Sequence, residues 1–245
     1  MNMKYIVEFK KTGVICYTSH LDILRVFKRV LKRAGLELAY SQGFNPHAKM
    51  GFAQPLSLGY SGLHEYMEFE TVSDYDCADL LETLKPLMPE GLELVRCLNA
   101  DWLSGTLAAG TTEAEYTVTV PVSENAKSSL TCDAGESSSA RVLHERYMGQ
   151  ESIEVLKKQK KKKGKEREMK LVDIKPMIRS ITFNLNVPET LEISMILDQG
   201  SQSNLSPELV ISSVLECFGL NIGRNEIDVI RNRIGFTDEI EKNLK

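Results

Sequence analysis

The chain has 245 residues, of which 42% are apolar, enough for one large domain or two ordinary ones around a sizeable core. A formal net charge of -4 and a pI near 5.7 exclude a whole-protein attraction to nucleic acid or anionic lipid, so a polyanionic partner has to be met by a local basic patch. No apolar run approaches the roughly 18 residues of a membrane span, and the opening Met-Asn-Met-Lys-Tyr-Ile-Val lacks a signal peptide's hydrophobic region, so the expected location is the cytoplasm, with no membrane partner.

In chain order, Lys4 to Phe9 alternates as a strand, and Val14-Ile15-Cys16-Tyr17 reads as a further extended piece. Ser19 then has the character of an N-cap with Asp22 three residues on, which predicts a helix from about His20 to Ala34 that Gly35 ends. Projected at about 100° per residue, Ile23, Leu24, Phe27, Val30, Leu31 and Ala34 share an apolar face, with His20 at its N-terminal end. Asp22, Arg25, Arg29, Lys32 and Arg33 share a charged one. Leu36 to Tyr40 is a short strand, followed by the polar loop Ser41-Gln42-Gly43-Phe44-Asn45-Pro46-His47 and by extended character from Lys49 to Leu58. Tyr66, Glu68 and Glu70 alternate against Met67 and Phe69, the pattern of a half-exposed strand. Ser73 or Asp74 caps a helix through about Leu87, and Leu92 to Leu98 closes the set as a strand. The order is that of a ferredoxin-like βαββαβ unit, with antiparallel strands and both helices on one face.

The second half reads as a looser repeat. Glu115 to Val122, Lys170 to Leu185, Leu191 to Leu197 and Asp228 to Phe236 are strands, and Pro207 after Ser206 starts a helix through about Phe218. Its first helix would fall between Ser123 and Glu168, where only Ile153 to Leu156 looks apolar. Ser123 to Ser139, rich in Ser, Asn, Gly and Asp, reads as a mobile insertion. Lys157 to Arg167 holds eight basic residues and one acidic, a solvated run or an electrostatic contact for RNA without aromatic stacking groups. The expected fold class is thus α+β with two ferredoxin-like halves, residues 1–110 and 111–245, the second carrying a polar and Lys-rich insertion at about 123–168.

The five cysteines, Cys16, Cys77, Cys97, Cys132 and Cys217, are odd in number and widely spaced, which favours reduced thiols over a disulfide framework. None forms a CxxC pair, and Cys16 is expected to be buried and structural.

Several runs group into longer motifs: Phe9-x-Lys-x-Gly13, Tyr17-x-Ser-His-Leu-Asp22, Arg25-x-Phe-x-Arg29, Arg33-Ala-Gly35, Tyr40-Ser-x-Gly-Phe-Asn-Pro-His47 with Lys49, and Pro55-Leu-x-Leu-Gly59 with Glu65-Tyr66. Together they resemble the radical SAM-linked protein family, a bacterial family of unknown function. The likeness is dense over residues 9–70 and thinner afterwards, at Val172-Asp173-Ile174-Lys175-Pro176 and Ser206-Pro207. The resemblance implies a radical SAM protein as partner, because members are fused to or encoded beside such proteins, often near ribonuclease and ribosomal-protein genes. S-adenosylmethionine and the iron-sulfur cluster would then sit on that partner. This chain has no CxxxCxxC motif to hold a cluster, so it is expected to be an accessory and not the radical enzyme.

Three functions compete on these residues. In the favoured one, the chain binds an RNA or ribosomal component and presents it to the radical SAM partner for modification. Arg25, Arg29, Lys32 and Arg33 would hold phosphates, Tyr40 or Phe44 would stack on a base, and Asn45, His47 and Lys49 would add polar contacts. In the second it is an enzyme, with His20, Asp22 and His47 as candidate catalytic groups of a metal-independent nuclease or as ligands of a zinc or iron. Against this stand bland roles: His20 packed within the core, Asp22 as a capping partner favoured by the helix dipole, and Asn45-Pro46-His47 as a well-specified turn. In the third the chain is a protein-only adaptor.

Overall fold

The computed structural model describes residues 2–123, 130, 136–158, 169–186 and 190–245. The strands are β1 (Met3–Lys11), β2 (Met50–Phe52), β3 (Ser61–Thr71), β4 (Leu92–Asn99), β5 (Thr111–Pro121), β6 (Glu154–Lys158), β7 (Met169–Asp173), β8 (Ile178–Asn186), β9 (Thr190–Asp198) and β10 (Asp228–Phe236). The helices are α1 (His20–Arg33), α2 (Cys77–Leu84), α3 (Leu107–Gly110), α4 (Glu136–Met148), α5 (Pro207–Phe218) and α6 (Asp238–Asn243). The fold is α+β with mostly antiparallel strands. It divides into two compact units, Met1–Ala114 with Val229–Lys245, and Glu115–Asp228.

In the first unit the strands run β4-β1-β3, with β2 paired to β3, which is the ferredoxin-like order. β1 is antiparallel to β3 and β4 on its two sides, from Tyr5 opposite Phe69 and Asn99 onward, and Tyr5 through Phe9 are all buried. β10 joins the start of β3 in parallel, Ile230 opposite Ser61. One face is covered by α1 and α2. Ile23, Phe27, Val30 and Leu31 from α1 and Leu80 and Leu84 from α2 pack on Tyr5, Val7, Phe9, Met67 and Phe69. Phe9, Phe27 and Phe52 form a ring cluster with centroids 4.9 to 5.9 Å apart. The other face is also closed, by a second cluster in which Leu107, Phe236 and Ile240 meet Ile6 and Tyr66.

That second cluster corrects the expectation of a half-exposed β3: Glu65 through Phe69 are buried on both faces. Other local expectations also change. Val14 to Tyr17 lies in a 3-10 turn, Gly13–Tyr17, and not a strand, although Cys16 is buried as expected. The cap of α2 is Asp76, whose carboxylate accepts from the Ala78 and Asp79 amides, while Asp74 accepts from the Tyr5 hydroxyl at 2.9 Å. α1 begins and ends as its sequence requires: Ser19 Oγ accepts from the Asp22 amide, and Gly35 takes a positive φ of 78° past the helix end.

The second unit has β5, β9 and β8 as neighbours in one sheet, and β6 with β7 as a separate hairpin. Its first helix does exist: α4, Glu136–Met148, occupies the slot that appeared almost empty. Leu143 and Tyr147, four residues apart, anchor it. The Tyr147 hydroxyl bonds Ser213 at 2.6 Å, and its ring meets Phe183 and Phe218. The supposed insertion is therefore structured from Glu136 through Lys158; its residues 124–129, 131–135 and 159–168, which include Cys132 and most of the Lys-rich run, lie outside the described residues. Lys170 to Leu185 is two strands, since Lys175–Met177 forms a 3-10 turn whose Pro176 cannot continue a sheet ladder. α5 spans Pro207–Phe218 as expected and ends at Gly219.

Candidate functional site

The candidate site has an outer surface, which holds the sequence-derived residues, and a buried cluster, both in the first unit. On the outside, Arg25, Arg29, Lys32 and Arg33 are exposed along α1, as predicted, and Lys28 joins them half-buried. Arg25 pairs with Asp22 at 2.5 Å, and Asp22 also accepts from the Ser19 hydroxyl at 2.7 Å. Those two hydrogen bonds, Ser19 first and Arg25 second, hold the Asp22 carboxyl below the usual range. Asp22 therefore acts as the capping partner of the bland reading.

Tyr40 is brought directly onto this helix. The ammonium groups of Lys28 and Lys32 lie 5.9 and 6.0 Å from its ring centroid, within cation-π range. The loop beyond is closed by its backbone. Ser41 donates its amide to the His47 carbonyl at 2.8 Å, the His47 amide donates to Ser41 Oγ at 3.0 Å, and Tyr40 bridges Ala48. Closing the loop at its base pushes its tip outward, and Phe44 is wholly exposed, with Asn45 and His47 exposed beside it. Lys49, exposed after the loop, has its ammonium bound to Glu70 Oε2 at 2.8 Å. Burial opposes ionisation of Glu70, but hydrogen bonds from Lys49 and Asn2 outweigh it and hold the carboxyl low.

His20 is exposed and not within the core, which corrects the reading of its helical projection: at the first position of α1 its ring lies at the rim of a small recess. Phe9, Lys11, Phe52, Leu56 and Glu65 line that recess, so the longer sequence motifs converge here from β1, β2 and β3. Inside it, Lys11 is 2% exposed and donates to the carbonyl oxygens of Cys16 (3.1 Å) and Thr18 (3.2 Å), and burial lowers its proton affinity. Glu65, 3% exposed, accepts Arg231 Nε at 2.8 Å and Nη2 at 2.5 Å, and Arg231 also donates to the Gln54 carbonyl at 2.9 Å. Gly62 makes room for this pair, for a Cβ there would stand 2.5 Å from Glu65 Oε1.

Lys11, Glu65 and Arg231 were missed as site residues by sequence reasoning. A Lys and a Glu in strand runs look like ordinary exposed positions, and Arg231 is 166 residues from its partner. The one available signal was that Lys11 and Glu65 both stand in the motif set. A further buried carboxylate, Glu8, is held by Arg96 and by His64 Nδ1 at 2.5 Å.

The candidate metal set is not assembled. His20, Asp22 and His47 do not form a ligand group, and among the described residues no three His, Cys, Asp or Glu side chains are grouped to hold a metal ion. Cys16, Cys77, Cys97 and Cys217 are free thiols, and no three of them gather to carry an iron-sulfur cluster. Among the described residues no helix is long and apolar enough to cross a membrane.

Comparison with known proteins adds a relationship without an activity. A solved structure described as the crystal structure of a Cbf5-Nop10-Gar1 complex aligns with 96% of this chain and 50% of its own, at 10% identity and a TM-score of 0.48. The chain thus spans about half the length of that one. No curated protein matches. Residues 4–207 match the family described as an uncharacterized protein conserved in bacteria, DUF2344, and the chain belongs to that family.

Proposed function

We propose that this protein is an accessory RNA-binding module that presents an RNA or ribosomal substrate to a radical SAM enzyme. The observation that carries the reading is the surface of α1, which presents Arg25, Lys28, Arg29, Lys32 and Arg33, with Lys28 and Lys32 lying over the ring of Tyr40. Cations spaced along a helix suit a phosphate backbone, and an aromatic face beside them suits an unstacked base. The acidic whole requires such binding to be met by a local basic patch, and α1 carries one. The radical SAM partner comes from the motif resemblance and from the chain's lack of a three-cysteine cluster, S-adenosylmethionine and the cluster being the partner's. Fluorescence anisotropy with labelled single-stranded RNA tests the reading: the wild-type chain binds, and Arg25→Gln/Arg29→Gln binds more weakly. Equal affinity of the two would remove α1 as the surface.

A second reading is enzymatic, with His20 acting at the rim of the recess above Lys11 and Glu65. What favours it is the convergence of the motif residues there. It requires His20→Gln to abolish RNA cleavage while leaving binding and folding intact; an unaltered RNA after incubation with wild-type protein would discard it. In the protein-only adaptor, the partner co-purifies after nuclease treatment and no RNA affinity is measured.

A further inference from the structure

A second concavity of the first unit lies between β2 and the segment entering α3, a groove of about 380 Å3, within the size range of small-ligand sites. Its walls are bare backbone in two places, Gly51 and Gly105, and a Cβ built on Gly51 meets nothing within 4 Å. Its charged lining is balanced, Lys4 and Lys49 against Glu68 and Glu70, which suits a neutral ligand group better than a phosphate.

Three of those four charges are already committed. Lys4 donates to the carbonyl oxygens of Leu103 (3.3 Å) and Gly105 (2.6 Å), and Glu70 is bound by Lys49. Glu68 differs. It is only 8% exposed, and its Oε2 accepts the Leu107 amide at 3.2 Å. Its Oε1 has no hydrogen bond among the described residues, where no unpartnered side-chain oxygen is sealed from solvent, so that oxygen opens onto the groove. Burial raises the proton affinity of this carboxyl, while the Leu107 amide and the Lys4 ammonium favour its ionised form.

We propose that the groove receives the pairing edge of an unpaired guanine, whose N1–H and N2–H donate to Glu68. The inference rests on the RNA reading above. Lys49, the residue that leaves the Tyr40–Ala48 loop, lines the groove, so the groove adjoins the end of that loop. The choice of base follows from hydrogen-bond chemistry. An ionised carboxylate offers acceptors only. Guanine alone presents two neighbouring N–H donors on its pairing edge, whereas adenine and cytosine set an acceptor nitrogen beside their amino group, and uracil flanks its N–H with two carbonyl oxygens. Facing acceptor to acceptor in a partly desolvated site is what lets a protein reject the wrong base strongly.

The test is fluorescence anisotropy of the full chain with fluorescein-labelled hexauridylate, the same oligonucleotide with one central guanine, and a third with inosine there. The guanine oligonucleotide should bind roughly 10-fold tighter than hexauridylate, the range of a hydrogen bond to a charged group, with inosine, which lacks the N2 amino group, in between. Glu68→Gln and Gly51→Val should each reduce the guanine oligonucleotide to the hexauridylate level and leave hexauridylate unchanged. Gly51→Val, directly across the β2–β3 pair from Glu68, occupies the open space beside the carboxylate while keeping its charge, so it reports on the groove even where Glu68→Gln disturbs folding. Equal binding of all three oligonucleotides, or a guanine preference that survives both substitutions, would overturn the groove and leave the RNA reading standing. Failure of every oligonucleotide to bind would overturn both.

Discussion

Replacing Arg25 and Arg29 by Gln removes two of the five cations on α1, and the consequence is best read from salt dependence. Each phosphate neutralised on a single strand contributes about 0.7 to the slope of log affinity against log salt, so Arg25, Lys28, Arg29, Lys32 and Arg33 together give a slope of about -3.5. The double variant should show about -2.1. Between 50 and 200 mM salt, wild-type affinity then falls about 130-fold and the variant's about 18-fold. Anisotropy titrations of a labelled single-stranded RNA at four salt concentrations measure both slopes. Both residues are exposed, so folding is unaffected and circular dichroism serves as the control. A variant slope equal to that of wild type would refute α1 as the phosphate surface, whatever the absolute affinities.

Other consequences follow from the buried groups. Arg231→Met leaves the Glu65 carboxylate unpaired in the core and should cost about 3–5 kcal/mol in denaturant unfolding, most of it recovered in Arg231→Met/Glu65→Leu; a double variant as unstable as the single would contradict this. Gly62→Ala places a Cβ 2.5 Å from Glu65 Oε1 and should lower the unfolding midpoint, an effect absent in a Glu65→Ala background. Phe27→Ala removes the centre of the Phe9, Phe27 and Phe52 cluster and should cost about 3–5 kcal/mol. Because Glu70 titrates below its ordinary range, its ion pair with Lys49 stabilises the fold above that range, and the contribution is lost as pH falls through the folded-state value. Lys49→Met should therefore be less stable than wild type near neutral pH and indistinguishable from it in acid, the comparison being made by chemical denaturation across pH; a gap that persists in acid would show that the pair is not its source.

The parts of the fold legible in the sequence are those whose signals are local. Ser19, Asp22 and Gly35 mark both ends of α1, and the apolar spacing of Ile23, Phe27, Val30 and Leu31 gives the face it buries. Pro207 after Ser206 marks the start of α5 in the same way. α4 escaped because its first turns are Ser-rich, and only Leu143 and Tyr147 report its buried side. β3 was misjudged because alternation shows one buried face and carries no mark of a second cover; that cover comes from Leu107, Phe236 and Ile240, which are distant in sequence. The candidate site divides along the same line. The basic face of α1 was readable, since the exposure of its charges follows from helical spacing, and Ser41 to His47 was readable as a polar loop from its composition. The engagement of Lys49 by Glu70, the exposure of His20 at a recess, and the Glu65–Arg231 pair depend on which strands become neighbours.

The central claim is that RNA lies on α1 and the adjoining loop. Ultraviolet crosslinking of the protein to RNA in its own cells, followed by mass spectrometry of the crosslinked peptides, tests it most directly. Crosslinks at Tyr40 and Phe44 and on peptides of α1, reduced in Arg25→Gln/Arg29→Gln, are the predicted result. Absence of RNA adducts, or adducts confined to peptides outside residues 17–49, would contradict it.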